Sequence, residues 1–226
     1  MEQAYIELTN VTKVINGNII LDNINLSFEK GKIYGIKGQN GSGKTMLFRA
    51  ICGFIKTEGT VKVNGKLVGK DGSYPESVGV LLENPGFLPN YSGLNNLKYL
   101  AEINNIIKEE DIKKSLKEVG LDPNEKKAFK KYSLGMKQKL GIAQALMENP
   151  EVVILDEPTN ALDEKSVENV NSMIMKLKAE NKLVLISNHN REELEMVCDE
   201  IYSIENGKIY DHAILRGEIN YEKKNL

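Results

Sequence analysis

The sequence predicts an α/β protein with a mainly parallel sheet, an antiparallel β subdomain and an inserted helical lobe. From residue 152 onward, apolar strand patterns alternate with amphipathic helical patterns, which is typical of a parallel sheet covered by helices. Between about 92 and 148 the pattern is helical throughout, which indicates a lobe inserted into that alternation. We therefore expect one domain, with a core at about 1–84 and 150–226 and a lobe at about 85–149.

The first third of the chain has strand patterns. Residues 4 to about 36 are predicted to form strands, because apolar and polar residues alternate at 24–28 with the period of a half-buried antiparallel strand. Asn64-Gly65 is a strong signal for a tight hairpin. The apolar run at 78–82 predicts a buried strand.

Three helices are predicted in the lobe. Apolar residues spaced three or four apart indicate helices around 94–101 and 112–119, the second ending at Gly120. A third helix covers 140–147 and ends before Pro150. After it we expect strands at 152–156 and 183–187, helices at 163–179 and 190–197, and a hairpin around Asn206-Gly207.

Composition and charge exclude several classes of function. Lys and Arg total 30 against 32 Asp and Glu, which argues against a surface that coats nucleic acid. The apolar runs are far shorter than the roughly 20 residues that span a bilayer, and no secretory signal pattern opens the chain. Cys52 and Cys198 belong to no C-x-x-C pattern. We expect both to be small buried hydrophobic residues in a reducing cytosol, rather than a disulfide or a metal pair.

The most informative segment is the run Gly38-Gln39-Asn40-Gly41-Ser42-Gly43-Lys44-Thr45. It matches G-x-x-x-x-G-K-[ST] and lies between a strand pattern and a helical pattern, where backbone N–H groups can surround a polyphosphate. Lys44 would reach the β- and γ-phosphates, and Thr45 would ligate Mg²⁺. The alternative is a turn that is Gly-rich by chance, and the strand and helix on either side argue against it. The segment therefore predicts nucleotide binding by a P-loop NTPase core.

Two later strands end in polar residues at the edge of the sheet where ligands bind. Asp156 and Glu157 end one of them. We expect Asp156 to hold the Mg²⁺ hydration shell and Glu157 to orient the attacking water or accept its proton. The alternative is that the two acids only cap the turn at Pro158. His189 follows the other strand and could contact the γ-phosphate or position Glu157, although a lone histidine is usually structural.

In order along the chain, these motifs resemble those of the ATP-binding subunit of ATP-binding-cassette (ABC) transporters. The resemblance covers essentially the whole length. Gly38–Thr45 matches the Walker A loop, and Val152–Glu157 the Walker B strand with its catalytic glutamate. Pro158–Asp163 resembles the D-loop, and His189 the switch histidine. Tyr132–Gln138 stands where the family signature falls, usually Leu-Ser-Gly-Gly-Gln, and is the most class-specific of these motifs.

The resemblance implies a Mg²⁺-dependent ATPase that drives a substrate through a separate membrane subunit. It implies that two cassettes meet head to tail, with Ser133 and Gly135 of one copy capping the γ-phosphate held by the other. In a single copy we expect these two residues to lie far from their own phosphate loop. The alternative for Ser133 is an ordinary helix N-cap.

The expected partners are therefore a second cassette, identical or closely related, and a membrane-spanning permease, with no nucleic acid. The expected location is cytoplasmic, peripheral on the inner face of the cell membrane. The variants Leu-Glu-Asn-Pro and Tyr-Ser-Leu-Gly-Met resemble those of bacterial exporters of peptide antibiotics and other drugs, which favours export. A non-transport or regulatory ABC-type ATPase is the alternative function.

Three positions depart from the family pattern. The signature has Leu134 and Met136 where a glycine and a glutamine are usual. Glu83 stands in place of the Q-loop glutamine; we expect it near the metal, and the alternative is a solvated loop acid. Ile15 falls about where an aromatic residue stacks on adenine, and Tyr5 is a distant substitute, so weak base selectivity is expected.

The loop at 85–92 mixes apolar and turn residues next to the helical lobe. In the family that this chain resembles, the corresponding region receives a helix of the membrane subunit. Phe87, Leu88 and Tyr91 are therefore candidates for a docking groove. The alternative is that they pack in the lobe's own core.

Overall fold

The computed structural model describes residues 4–69, 73–83 and 86–215, which form two β-sheets and six α-helices. The strands are β1 (Ile6–Ile15), β2 (Asn18–Phe28), β3 (Ile33–Lys37), β4 (Glu58–Val63), β5 (Lys66–Leu67), β6 (Val78–Leu81), β7 (Val152–Asp156), β8 (Leu183–Asn188), β9 (Glu200–Glu205) and β10 (Lys208–Ile214). The helices are α1 (Lys44–Ile51), α2 (Gly93–Asn104), α3 (Glu109–Glu118), α4 (Leu134–Leu146), α5 (Glu164–Ala179) and α6 (Arg191–Val197).

The larger sheet has the strand order β10-β9-β3-β8-β7-β6, and only β10 runs antiparallel to its neighbour. This confirms the predicted mainly parallel sheet. In register, Lys37 of β3 pairs with Asn188 of β8, and Asp156 of β7 pairs with Ser187. The ends of three neighbouring strands therefore lie at one edge, where the phosphate loop follows β3.

The smaller sheet is antiparallel, with the order β2-β1-β4-β5, and confirms the predicted β subdomain. The hairpin between β4 and β5 turns at Asn64 and Gly65, whose φ angles are 49° and 74°. Both angles lie in the left-handed region that a two-residue hairpin requires. The sequence signal at this turn is confirmed.

Helices α2, α3 and α4 lie between β6 and β7 in the chain, as the helical pattern predicts. Ser92 and Ser133 begin α2 and α4 as N-caps, each accepting a hydrogen bond in its first turn. The short 3₁₀ helix Phe129–Lys131 before α4 was not predicted, because three residues are too few to show a helical period.

The larger sheet is buried on both faces. Val153 and Leu155 of β7 belong to one hydrophobic cluster, with the helices of the lobe, while Val152 and Ile154 belong to a second cluster, with α1 and the smaller sheet. A parallel strand covered on both sides has such a continuous apolar sequence.

Both cysteines are buried, Cys52 in one of these clusters and Cys198 in the other. This agrees with their predicted role as small hydrophobic residues, and burial raises the pKa of the Cys52 thiol to about 12. Within the described ranges, no helix combines the length and the apolarity that crossing a membrane requires.

Candidate nucleotide-binding and catalytic site

The phosphate loop connects β3 to α1, and a side chain at Gly38 or Gly43 would clash or be strained. Gly43 has a φ of 113° and begins α1 without any side-chain capping bond. A Cβ on Gly38 would lie 2.3 Å from Ser42 Oγ and 2.6 Å from the carbonyl oxygen of Ile204. The first N–H groups of α1 therefore have no side-chain cap, an arrangement suited to binding an anion.

Lys44 links this loop to the end of β7. Its side chain is only 5% exposed, and Nζ donates hydrogen bonds to the carbonyl oxygens of Gly38 at 2.7 Å and Gln39 at 3.1 Å. The same Nζ lies 3.3 Å from Glu157 Oε1. A buried ammonium with these partners is held in one place, beside the carboxylate predicted to act on water.

Asp156 lies beside Thr45, as the sequence predicts for a metal site. Thr45 Oγ1 donates to Asp156 Oδ2 at 2.5 Å, and Ser187 Oγ donates to Oδ1. Hydroxyl and carboxylate oxygens are the donors that Mg²⁺ prefers, and it is usually held by one or two carboxylates together with water and phosphate. The described part of the chain has no cluster of three or more His, Cys, Asp or Glu residues able to hold a metal. The donors present therefore fit Mg²⁺ bound together with a nucleotide.

Glu157 is held by both its backbone and its side chain. Its φ is 48°, in the left-handed region. The backbone N–H donates to Ser187 Oγ at 3.0 Å, and the carbonyl oxygen accepts from Gln138 Nε2 at 3.0 Å. Asn160 Nδ2 donates to Oε2 at 2.5 Å, while Lys44 faces Oε1. The carboxylate thus contacts the turn through Asn160 and the phosphate loop through Lys44, so capping the turn accounts for one of its two oxygens.

An open cavity of about 660 Å³ joins these elements. Its lining includes Gly41, Lys44, Thr45, Glu83, Leu134, Gln138, Asp156, Glu157 and Asn160. Most of the predicted phosphate, metal and water-orienting residues are thus brought together around one space. The larger cavity of about 750 Å³ between α3 and α5 contains none of them.

Part of the signature segment reaches the cavity beside the phosphate loop of its own chain. Ser133 and Gly135 do not line the cavity, but Leu134 and Gln138 do. The reason is that the N-terminal end of α4 packs against the D-loop. A Cβ on Gly135 would lie 2.9 Å from the carbonyl oxygen of Ala161. The two residues that the resemblance assigns to capping a partner's phosphate thus lie outside the cavity of their own chain.

Ser133 and Asp163 both cap helices. Ser133 Oγ accepts from the backbone N–H of Met136 at 3.2 Å, and the residue is exposed. Ser133 therefore does cap its own helix, as the alternative interpretation expects. Asp163 Oδ1 accepts from the N–H of Ser166 at 2.8 Å at the start of α5, and hydrogen bonds from Ser166 lower the pKa of its carboxyl.

His189 lies beside the phosphate loop but not in the cavity that contains Glu157. It is exposed at the end of β8 and lines a smaller cavity of about 360 Å³, together with Gly38 and Ser42. Among the described residues, Ser42 Oγ is one of two buried side-chain polar atoms without a hydrogen-bond partner. The structure thus places His189 near the predicted phosphate site and gives it no contact with Glu157.

Glu83 lines the main cavity and also pairs with a cation. Its φ is 52°, its side chain is 58% exposed, and Arg49 Nη2 lies 3.1 Å from Oε1. It is therefore a partly solvated acid at the cavity wall. Asn84 and Pro85, which follow it in the sequence motif, lie outside the described residues.

Ile15 and Tyr5, the two positions considered for contact with the base, lie at opposite ends of β1. Ile15 is at the hairpin end of β1, opposite Asn18, and Ile20 lines the main cavity. Tyr5 lies at the opposite end of β1, where its N–H donates to Phe28 O and Lys30 lies over its ring at 5.3 Å. A ten-residue strand is about 33 Å long, so Tyr5 lies far from Ile15 and from the main cavity that Ile20 lines. The prediction that Tyr5 could substitute for the stacking residue is therefore wrong.

The candidate docking residues divide into two kinds. Phe87 is partly buried and packs edge-on against Phe129, with ring centroids 5.2 Å apart, so it belongs to the core of the lobe. Leu88 and Tyr91 remain 46% and 40% exposed, and Tyr91 contacts Tyr99. Pro85, at the start of this loop, is not among the described residues.

Sequence reasoning missed three residues that hold the site together: Gln138, Asn160 and Ser187. Gln138 and Asn160 lie within the signature and D-loop motifs but were given no role. The signal for Gln138 is a polar residue on a helix whose neighbouring positions, such as Leu140, Ile142 and Ala143, are buried and apolar. Ser187 could be found only from the strand register that places it opposite Asp156.

The chain belongs to the ABC transporter family, whose model matches residues 21–160. It is 44% identical over 205 residues to the uncharacterized ABC transporter ATP-binding protein YybJ of Bacillus subtilis (strain 168), covering 90% of this chain and 94% of that protein. It is 38% identical over 217 residues to the bacitracin transport ATP-binding protein BcrA of Enterococcus faecalis, covering 92% and 68%. The dimeric structure of MJ0796, a bacterial ABC transporter cassette, has a TM-score of 0.84 at 26% identity and covers 94% of this chain and 99% of its own.

The chain is thus the ATP-binding, ATP-hydrolysing subunit of an ABC transporter, as its motifs predict.

Proposed function

We propose that this subunit hydrolyses Mg-ATP at the cavity between the phosphate loop and the end of β7, with Glu157 as the group that acts on water. The observation that carries this proposal is the convergence of Lys44, Thr45, Asp156 and Glu157 on one cavity. Lys44 and Thr45 come from the phosphate loop, and Asp156 and Glu157 come from the end of β7, more than 100 residues later in the sequence. Phosphoryl transfer to water needs positioned cations and an oriented water more than covalent chemistry, and these residues supply both.

In the proposed binding mode, residues 38–45 surround the β- and γ-phosphates with backbone N–H groups. The Lys44 ammonium then pairs with the γ-phosphate instead of with Glu157, because the phosphate is the more strongly charged of the two anions. Thr45 and Asp156 would hold Mg²⁺, and Glu83 stands at the same cavity wall as a further oxygen donor. When bound, Mg²⁺ neutralises the charge on the phosphate oxygens.

The carboxylate of Glu157, no longer paired with Lys44, orients the attacking water and accepts its proton. Asn160 remains as its hydrogen-bond partner. His189, on the other side of the phosphate loop, supports the γ-phosphate after the loop has adjusted to nucleotide. No residue of this chain forms a covalent intermediate in this scheme.

A second copy completes the site. Ser133 and Gly135 do not face the cavity of their own chain, but Ser133 is exposed at the N-terminal end of α4. A hydroxyl and open N–H groups at that end are suited to an anion presented by another copy. The related cassette MJ0796 has been solved as a dimer, which supports this arrangement. Asp163 of the D-loop would lie at the same interface.

We further propose that the transporter is an exporter and that the subunit sits on the inner face of the cell membrane. The relative BcrA is named for bacitracin transport, which supports peptide-antibiotic or drug export. Leu88 and Tyr91 are the exposed candidates for contact with the permease, whereas Phe87 supports the lobe from within. The whole chain then acts as one cassette, with its core at about 1–84 and 150–226 and its lobe at about 85–149.

The variant Glu157→Gln tests the catalytic assignment. It keeps the shape of the side chain and its contact with Asn160 but removes the base. We expect turnover to fall by about 10²–10⁴-fold while Mg-ATP still binds, since general base catalysis contributes that much. Phosphate release and binding of a fluorescent ATP analogue measure the two quantities separately. Unchanged turnover would remove Glu157 from its role.

A further inference from the structure

Glu157 adopts a backbone conformation that a glutamate does not favour by itself. Its φ of 48° lies in the left-handed region, which costs a non-glycine residue roughly 1–2 kcal/mol. Such a conformation persists only where surrounding contacts fix it, and these positions cluster at active sites. The direction of the carboxylate therefore depends on whatever holds the peptide groups on either side of Glu157.

Two side-chain contacts hold those peptide groups. On the N-terminal side, Ser187 Oγ accepts from the N–H of Glu157 at 3.0 Å. On the C-terminal side, Gln138 Nε2 donates to the carbonyl oxygen of Glu157 at 3.0 Å. Ser187 also donates to Asp156, so it serves the metal side of the site as well. The same carbonyl oxygen also accepts from the backbone N–H of Asn160 at 3.2 Å, within the turn, so Gln138 is the side-chain contact that ties this turn to helix α4.

Helix α4 gives Gln138 a rigid base. Its C-terminal end packs directly on β6, since a Cβ on Gly79 would lie 1.8 Å from the carbonyl oxygen of Ala145. Its N-terminal end packs on the D-loop, where Gly135 approaches the carbonyl oxygen of Ala161. Between these two contacts Gln138 is only 9% exposed and lines the nucleotide cavity. Its amide is fixed both by the helix and by burial.

We propose that Gln138 is a positioning residue that holds the backbone of Glu157 in its left-handed conformation and thereby keeps the carboxylate aimed into the cavity. This inference rests on the proposed role of Glu157 in hydrolysis. Gln138 acts through the peptide carbonyl and contributes no proton transfer. Without its N–H donor, the peptide relaxes toward a more favourable φ and the carboxylate leaves the line of attack.

Replacing Gln138 with methionine keeps the volume and removes the donor. In the full chain with Mg-ATP, we expect kcat to fall by roughly 10–100-fold, because displacing a catalytic group by about 1 Å can cost that much. We expect KM to stay within about twofold, since Gln138 does not hold the phosphates. A purely structural role would instead raise KM and lower the melting temperature along with kcat.

Gln144→Met is the matched control. It places the same substitution on the same helix, at a partly exposed position that does not line the cavity. Wild-type kcat is expected for it. If Gln138→Met does not fold, Gln138→Asn serves instead, because its amide is one methylene too short to reach Glu157. Equal losses in the Gln138 and Gln144 variants would overturn the proposal.

A double-mutant comparison shows whether Gln138 acts through Glu157. On the Glu157→Gln background, adding Gln138→Met is expected to cause no further loss of residual turnover, since residues that act as a unit are not additive. A further loss of the same size as in the wild-type background would overturn the inference, as would normal kcat in Gln138→Met alone. Absence of turnover in the unaltered protein would overturn the proposed function and the inference together.

Discussion

The nucleotide cavity has two sides, which we call the core wall (the phosphate loop and the end of β7) and the signature wall (the start of α4). They differ in whether their functional groups already have partners within the chain. On the core wall, the functional groups are already engaged with one another: Lys44 with Glu157, and Thr45 with Asp156. The signature wall is lined by Leu134 and Gln138, and the neighbouring Ser133 is exposed outside the cavity, where its side chain caps its own helix. The core wall is assembled within one chain, whereas we propose that the exposed serine beside the signature wall acts on a second copy.

This difference separates what folding can position from what assembly must supply. Groups that are paired in a single copy are held in place before the nucleotide binds. In the proposed binding mode, contacts with Mg-ATP replace those pairs. A group that is exposed and oriented only by a helix cap needs a second surface to act on. The nucleotide is therefore expected to join two copies as well as to react.

Removing the amine of the core wall should have the largest effect. Lys44→Ala takes away the buried ammonium that links the phosphate loop to Glu157. We expect ATP affinity and turnover to fall by at least about 100-fold, because the charge acts in a partly desolvated site. Binding of a fluorescent ATP analogue measures the loss. Lys66→Ala, which removes an exposed lysine paired with Glu76, is the control and should bind normally.

Putting a charge on the signature wall should separate its two roles. Ser133→Asp keeps a good N-cap, so the melting temperature should move by less than about 2–4 °C. The carboxylate would repel a partner's phosphates, so turnover and ATP-dependent dimerisation should fall by roughly 10–100-fold. Ser92→Asp makes the same change at the N-cap of α2. Equal effects of the two variants on turnover would show that the signature serine has no special role.

The Glu83 position should give a smaller effect. Glu83→Gln removes an anionic oxygen from the cavity wall, so the Mg²⁺ concentration for half-maximal turnover should rise by less than about tenfold. Arg49→Gln breaks the same exposed ion pair, which is worth about 0–1 kcal/mol, but keeps the carboxylate. If both variants shift the Mg²⁺ requirement equally, the ion pair and not metal ligation explains the effect.

Base selectivity should change least. With aliphatic residues at Ile15 and Ile20, GTP is expected to be hydrolysed within about tenfold of the ATP rate. Ile15→Tyr should tighten ATP binding by up to about tenfold, a gain of about 1.4 kcal/mol that lies within the range for one stacked base. Val14→Tyr, whose side chain points to the other face of β1, should have no such effect. Competition between ATP and GTP measures the change, and a strong ATP preference in the unaltered protein would contradict it.

The fold was largely predictable because its signals are local. The phosphate loop, the hairpin at Asn64-Gly65 and the apolar strand ending at Asp156 each follow from residues adjacent in sequence. The order of strands in the larger sheet was not predictable, because alternation of strands and helices does not say which strands pair. For the same reason Ser187 was missed, since its contact with Glu157 spans 30 positions.

The sequence predicts most of the residues that line the site, but not the hydrogen bonds that join them. The helical pattern marks Gln138 as a polar residue among apolar positions but does not give its partner, because the packing of α4 between β6 and the D-loop brings its amide to Glu157. The left-handed conformation of Glu157 likewise could not be inferred, because nothing in the residue type favours it. The position of Leu134 at the cavity could not be inferred either, because the path of α4 relative to the core is a tertiary property.

The central claim is that Mg-ATP joins the phosphate loop of one copy to the signature wall of another. Sedimentation velocity of Glu157→Gln with and without Mg-ATP tests it directly, because blocking hydrolysis preserves any joined state. A dimer should form with Mg-ATP alone and disappear when Ser133→Asp is added. A protein that stays monomeric with saturating Mg-ATP, or a dimer indifferent to both nucleotide and Ser133, would contradict the claim.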